Sequence, residues 1–353
     1  MAGLLHPSFG GMNKRTLLAD LCDRTGATEL ALAVRKRATL PWLPVVTFHR
    51  IANVSRQYPF DEEVVEATPA QFERQLAIVR QHFTPVTTAD VVKALDGQPL
   101  PANAVFVTFD DGYLDNHAVA LPLLQKYGVK ATFFIATDYV TRRRLFWWDR
   151  IAFAVKAAAR PKLALSYPRP MVLEVGTPAL RRAATKTLLR LVKSTYELDL
   201  ERFLDELTAA AEVAWNTDVE RELADGLLMT WDHVRALKAA GMDVQSHTCT
   251  HRVLQTLSSE HALAELVDSR AALERELGER IFAVSYPVGH TINDRIDVRK
   301  AVARAGYRVG FTNATGVQPM WDVDRYNFKR ISLPPQLPDS LFRAMLTLPM
   351  VFE

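Results

Sequence analysis

Short β-branched or aromatic runs alternate along this chain with longer stretches whose apolar positions recur at helical spacing. Val45-Val46-Thr47-Phe48-His49-Arg50 predicts a first strand with His49 at its C-terminal end. Thr68-Pro69-Ala70-Gln71 supplies a cap, a proline at the first helical position and a capping-box residue, so a helix is expected to about Phe83. A strand at 104–109, a helix over 117–127 stopped by Gly128, and a strand over 130–136 follow. Strand, helix, strand, helix, strand implies parallel pairing with helical crossovers.

The alternation resumes at Thr230-Trp231-Asp232-His233, a capped helix ending at Gly241. Then come a strand from Met242, a helix over 258–277, a strand over 281–286, a helix over about 293–305, a strand over 307–312 and a last run Arg330-Ile331-Ser332-Leu333. The strands number about seven. Residues 142–229 break the pattern. They open on Leu145-Phe146-Trp147-Trp148-Asp149-Arg150-Ile151 and a helix to about 158. Extended runs at 162–167 and 171–175, a helix capped by Thr177-Pro178 and a helix over about 199–213 follow. We read them as a mainly helical insertion, a lid or partner surface, in a barrel formed by 45–141 and 230–353. Residues 1–44 form an N-terminal helical arm, with one helix around Leu17, Leu18 and Leu21 and another over 28–36. Without arm and insertion about 220 residues remain, a length that suits a (β/α) barrel of ~200–250.

Composition narrows the classes. A net charge of +3 is too small for a nucleic-acid footprint, and two cysteines build no disulfide framework. No run approaches the ~20 apolar residues of a membrane span, and the N-terminal stretch is too polar for a signal-peptide core. A cytoplasmic location is therefore expected. Arg35-Lys36-Arg37 near Trp42 offers a weak contact with a membrane surface, against the plainer reading of a solvated helix end.

Candidate chemistry sits at two strand ends. Val105–Phe109 opens into Asp110-Asp111-Gly112. Adjacent strand residues point to opposite faces, so a loop is needed to bring both carboxylates to one site. An arbitrary Asp-Asp-Gly is most often a surface turn. Further on, His247 and His251 are four apart, a spacing that reaches one metal from one face of a helical turn. Two histidines and one carboxylate make a three-ligand, open metal centre, and the neighbouring carboxylate is then a natural general base. In parallel barrels the active site lies at the C-terminal strand ends, where Asp110, Asp111, His247, His251 and His49 all fall. Cys249, between the histidines, is read as a small packed residue.

Thr108-Phe109-Asp110-Asp111-Gly112-Tyr113 and Ser246-His247-Thr248-Cys249-Thr250-His251 resemble the first two motifs of the polysaccharide deacetylases, the NodB-homology carbohydrate esterases. Ala131-Thr132-Phe133-Phe134-Ile135 is similar to the family's next strand, and Ser285-Tyr286-Pro287-Val288-Gly289 to its third motif. The resemblance covers roughly 45–140 and 230–335. It implies an α/β fold, a distorted, incomplete (β/α) barrel of about seven parallel strands. It also implies a divalent metal, zinc, on Asp111, His247 and His251, with Asp110 as the catalytic base. The backbone N–H of Tyr113 becomes an oxyanion donor, and Tyr286 and Arg330 are placed beside the substrate.

Two departures from the family follow. Ser285 stands where the third motif usually carries an arginine, and Arg330 on the last strand is positioned to reach in instead. No histidine follows His290, so the late Leu-His that supplies the general acid is missing. His49 is the substitute by position, with His290 second. The expected activity is metal-dependent hydrolysis of N-acetyl groups on a sugar of a polysaccharide or glycan precursor. The alternatives are an amidohydrolase on a non-sugar amide and a non-catalytic carbohydrate-binding protein on the same fold. A retained Asp110 argues against the last, because a pure binder needs no base.

Overall fold

The computed structural model describes residues 14–38, 42–55 and 57–352. Seven strands pair in parallel and close on themselves: β1 (Val45–Phe48), β2 (Ala104–Phe109), β3 (Thr132–Ile135), β4 (Asp243–Ser246), β5 (Ala283–Ser285), β6 (Val309–Thr315) and β7 (Phe328–Ser332). Closure comes from β1, which pairs with β2 along Val45–Phe106 to Phe48–Phe109 and with β7 at Val46–Ile331 and Thr47–Ser332. The barrel is thus the seven-stranded one the resemblance implies. β1, β2 and β3 are buried along their whole length, because one face looks into the barrel and the other onto crossover helices.

Alternation decides what each strand sends inward. Phe106 of β2 and Phe134 of β3 each lie 5.5 Å from Phe311 of β6, centroid to centroid. Neither strand neighbours β6, so these contacts cross the interior. A layer of phenylalanines, with Phe328 of β7 at 5.4 Å from Phe311, plugs the barrel. Two and four residues further along the same faces come Thr108 and Asp110 from β2 and Arg330 from β7. The outward set, Phe48, Phe109 and Phe133, stacks instead at 5.3 and 4.8 Å under the helix Pro69–His82. That helix begins as expected, with Thr68 and Gln71 closing a capping box.

Several elements were not expected. A short strand Thr84–Val86 pairs with the first half of β2, and a helix Thr88–Leu95 follows it. Helices Thr217–Leu227 and Asp339–Thr347 are also additional. Residues 142–229 hold four helices, Trp147–Ala157, Pro178–Ser194, Leu200–Ala210 and Thr217–Leu227, and an antiparallel hairpin of Lys162–Leu165 and Met171–Glu174. They bury a second apolar core around Leu163, Leu188, Phe203 and Leu207, and Tyr113 belongs to it.

The described residues of the N-terminal arm form two helices, Lys14–Arg24 and Ala27–Ala38, held to the helix Asp339–Thr347 by Arg343, which pairs with Asp23 at 2.7 Å and Glu29 at 2.6 Å. Within the basic run Arg35-Lys36-Arg37, Lys36 and Arg37 are exposed and Arg35 is not. Arg35 is 1% exposed and donates to the carbonyls of Leu346 and Ala104. Its charge tethers the arm to the barrel rather than facing outward. No described helix is long and apolar enough to cross a membrane.

The turn after β5 brings backbone against backbone at Gly289. Its φ is +72°, and a Cβ there would meet the amide nitrogen of Asn313 at 2.3 Å. Gly289→Ala should therefore destabilise the fold by about 2 kcal/mol, combining left-handed strain with overlap that no rotamer change relieves. An unchanged urea midpoint would contradict this packing.

Candidate active site

Asp110 points inward because it continues the β2 alternation of Phe106 and Thr108. By the same rule Asp111 should point out. It does not, because its φ is +76° and the strand has ended. The Gly112 N–H donates to the Asp110 carbonyl and the Gly112 carbonyl accepts from Met229, which fixes this turn. Two adjacent carboxylates thus face one cavity, 1% and 2% exposed.

The histidines arrive differently from the expectation. Residues 247–251 form no helical turn: Thr248 and His251 have φ of +65° and +52°. An irregular loop holds the pair together. Glu265, from the helix Ser259–Leu277, accepts from the amides of Cys249 and Thr250 at 2.9 Å each and from the Thr250 hydroxyl. The amides of Thr137 and Asp138 donate to the Thr248 and Cys249 carbonyls, and Trp147 Nε1 donates to the His251 carbonyl at 3.2 Å. Cys249 is a packed residue whose sulfur accepts from Thr137, and burial pushes its thiol pKa up.

The ligand atoms of Asp111, His247 and His251 lie within 4.8 Å of one another. Asp111 Oδ1 is 3.3 Å from Nε2 of each histidine, yet it is buried without a hydrogen-bond partner. His247 Nδ1 is 2.8 Å from the Ser285 carbonyl. That nitrogen therefore carries the proton and leaves the Nε2 lone pair facing Asp111. Burial outweighs Asp111 and lowers the His251 pKa to about 4, so this imidazole is neutral. An orphaned carboxylate oxygen between two imidazole Nε2 atoms has the chemistry of an open three-ligand site, and the residues fit a divalent metal.

Asp110 has other partners. Arg330, fully buried, donates from Nη1 to Oδ1 at 2.9 Å and from Nη2 to Oδ2 at 2.7 Å. Ser285 Oγ donates to Oδ2 at 3.1 Å. Burial alone would raise the Asp110 pKa, but Arg330 above all, with His247 and His49, holds it below the usual range. Arg330 is itself fixed by the Thr312 carbonyl at 2.8 Å and by Asn313 Oδ1.

His49 lines the same cavity, of about 180 Å³, with Trp147, Trp148, Asp61, Lys193 and Asn313. Glu66 holds its Nδ1 at 2.6 Å and accepts from its backbone N–H at 2.9 Å. Burial lowers the His49 pKa, but the Glu66 charge and hydrogen bond prevail, with Asp111 and Asp110 helping, and raise it to about 10. Glu66 was not anticipated. Its signal was a lone carboxylate in the apolar run Val64-Val65-Glu66-Ala67.

The tyrosines stand elsewhere. Tyr286 is buried outside the cavity, and its hydroxyl donates to the Tyr326 carbonyl at 2.9 Å, which corrects its expected place beside the substrate. The Tyr113 hydroxyl donates to Asp149 at 2.8 Å and accepts from Trp148 Nε1 at 2.7 Å, so only its backbone is available to the site. His290 is exposed and outside the cavity. Phe146, Trp147 and Trp148 are 1%, 1% and 4% exposed; they seal residues 142–229 against the His251 loop, with the Trp148 ring 4.3 Å from that of His251.

Removing Arg330 would strand a buried carboxylate. Arg330→Ala should cost roughly 3–5 kcal/mol of stability, and Asp110→Asn in the same chain should recover more than ~1.5 kcal/mol of it. A double-mutant cycle in denaturant reads this coupling, and additive losses would mean the pair does not act as a unit.

The fold agrees with comparisons to known proteins. The polysaccharide deacetylase family profile matches residues 97–310. The Bacillus subtilis (strain 168) protein YxkH, assigned to the polysaccharide deacetylases, is 20% identical over 308 residues, 86% of this chain and 76% of its own. Among solved structures, the Streptococcus pyogenes deacetylase PplD superposes with a TM-score of 0.58 at 19% identity, covering 89% of this chain and 99% of that one. A Bacillus cereus polysaccharide deacetylase gives 0.54 at 17%, covering 86% and 69%. With a profile match across more than half of its length, this chain belongs to the polysaccharide deacetylase family.

Proposed function

We propose that the protein is a metal-dependent hydrolase that removes N-acetyl groups from a sugar of a polysaccharide or glycan precursor. The observation that carries this reading is the unpaired Asp111 oxygen between two imidazole nitrogens, one residue from a carboxylate clamped by Arg330. Family membership supports it, and PplD was solved in complex with acetate.

Asp111, His247 and His251 would hold the metal; two imidazoles and one carboxylate suit zinc. When bound, the metal would lower the pKa of water and polarise a carbonyl oxygen. The remaining chemistry belongs to the side chains. Asp110 takes the proton of the attacking water. Arg330 and Ser285 occupy its outer lone pairs, keeping it ionised and aimed. The backbone N–H of Tyr113, on the turn that sets Asp111, is the candidate oxyanion donor. His49 donates a proton to the departing amine. Glu66 claims Nδ1, so Nε2 is the nitrogen left for substrate, and a nearby dication would pull its pKa back toward neutrality. Trp147 and Trp148 wall the cavity and exclude water. Its small volume suits an acyl group and the carbon that bears it.

Metal analysis of purified variants tests the ligands. Asp111→Ala, His247→Ala and His251→Ala should each lose the bound metal, since each removes one of only three protein ligands. Wild-type stoichiometry in all three would refute the site.

Acetate release from N-acetylated glycans tests the roles. Asp110→Asn should keep its metal and lose roughly 10²–10⁴ in turnover. His49→Ala should lose more on amides than on an activated ester, whose leaving group departs without a proton. An Asp110→Asn enzyme at the wild-type rate, or equal losses for His49→Ala on amide and ester, would move those roles to other groups.

A further inference from the structure

The helix Pro178–Ser194 brings Lys193 to the wall of the cavity that holds Asp110, Asp111, His247 and His251. Two other lysines of residues 142–229 are already neutralised by the segment 61–63. Lys156 pairs with Glu62, and Lys186 with Glu63 at 2.8 Å. Asp61 completes that acidic run but caps its own turn, Oδ1 accepting from the Glu63 N–H at 3.0 Å. Lys193 makes no hydrogen bond or ion pair with any described residue.

Most other charges around the cavity are matched; Asp61, which also lines it, has no ion pair with any described residue and is the first carboxylate acting on Lys193. Arg330 serves Asp110, Glu66 serves His49, and Asp111 lies between two histidines. Lys193 is therefore the cation on this wall without a close partner. Burial lowers its pKa, with Asp61, Glu63 and Asp111 pulling the other way. A half-buried ammonium without a hydrogen-bonded partner costs free energy that a bound anion would recover. Asn313 adds a donor to the same cavity's wall: Oδ1 accepts from Arg330, which leaves its amide N–H groups for a ligand. A larger cavity of about 560 Å³, between residues 57–63 and the helices Trp147–Ala157 and Pro178–Ser194, shares Asp61 with the metal pocket. It gives room beyond Asp61 for the rest of a substrate.

We propose that Lys193 binds an anionic substituent, a carboxylate or a phosphate, carried close to the acetamido group. The substrate is then an acidic or phosphorylated N-acetyl amino sugar rather than a neutral glycan. This rests on the deacetylase reading of the site and adds the charge of its substrate. Lys193 is a specificity-determining residue, and it works through its charge.

Calorimetry tests the proposal with zinc-loaded Asp110→Asn protein, which binds without turnover. Three N-acetylated oligosaccharides of equal length are compared: one neutral, one carrying a carboxylate, one carrying a phosphate. An anionic ligand should bind roughly tenfold or more tighter than the neutral one. Adding Lys193→Ala should erase that preference and leave the neutral ligand within about twofold, while Lys193→Arg should restore most of it. Lys193→Gln, closer in size, serves if the alanine variant folds poorly. Whichever anionic ligand loses affinity identifies the group recognised.

Absence of any anionic preference, binding of none of the ligands, or an equal loss on neutral and anionic ligands would overturn the proposal. Acetate release from the same panel by the wild-type enzyme separates the two readings. Release from neutral and anionic sugars alike, unaffected by Lys193→Ala, refutes the anion site and leaves the deacetylase intact. Charge-selective binding without release from any of them refutes the deacetylase and leaves the anion site standing.

Discussion

A buried carboxylate is tolerable only when its charge is answered, and the pairing of Asp110 with Arg330 answers it at the centre of this barrel. The two groups come from β2 and β7, which flank β1 on opposite edges. The guanidinium presents two parallel donors, and two of its other N–H groups are taken by Thr312 and Asn313. Such a network stabilises little over an apolar plug of the same volume, but breaking one member is expensive. What it provides is a fixed, ionised carboxylate above the phenylalanine layer. Ser285 on β5 serves as a third donor, so Asp110 is held from β5 and β7 together.

Backbone conformation gives the next residue a different task. Asp110 inherits its direction from the strand, whereas Asp111 gets its own from a left-handed φ of +76°. One residue of strain thus separates a carboxylate saturated by donors from one with an orphaned oxygen. His251 and Thr248 carry similar strain, and Glu265 and the end of β3 hold it in place. Strained backbone clusters where side chains must converge against their local preference.

This explains what could be read from the chain and what could not. The seven strands were legible because each is a short β-branched or aromatic run, and the position of Asp110 and His247 at C-terminal strand ends pointed to the site. Spacing identified the His247–His251 pair, but the helical turn inferred from it was wrong, because the loop is held by Glu265, fourteen residues beyond and on another helix. The strand Thr84–Val86 was missed because three residues with a central proline give no period. The helix Thr88–Leu95 did carry a cap signal in Thr87 and Asp90, weaker than the usual glutamate. Asn313 and Lys193 became visible only in three dimensions, since nothing in their own neighbourhoods ties them to the site, and Glu66 left only a lone carboxylate in an apolar run.

Tyr113 is where residues 142–229 join the barrel's chemistry. Its backbone completes the turn that aims Asp111, and its ring lies in the second apolar core. Its hydroxyl donates to Asp149 and accepts from Trp148, whose ring packs on His251. The Arg50 guanidinium sits 4.7 Å from the centre of the Tyr113 ring and pairs with Asp115 at 2.8 Å. The segment therefore touches both halves of the candidate metal site, the Asp111 turn and the His251 loop, through buried groups with satisfied hydrogen bonds. A cover that only had to open and close would not be anchored this way. The same rigid contact also sets where the helix carrying Lys193 stands relative to Asp110. If a positive charge on that helix reads the substrate, its distance from the reacting carbon is fixed by the packing of Trp148 on His251, so binding selectivity and catalytic alignment share one wall.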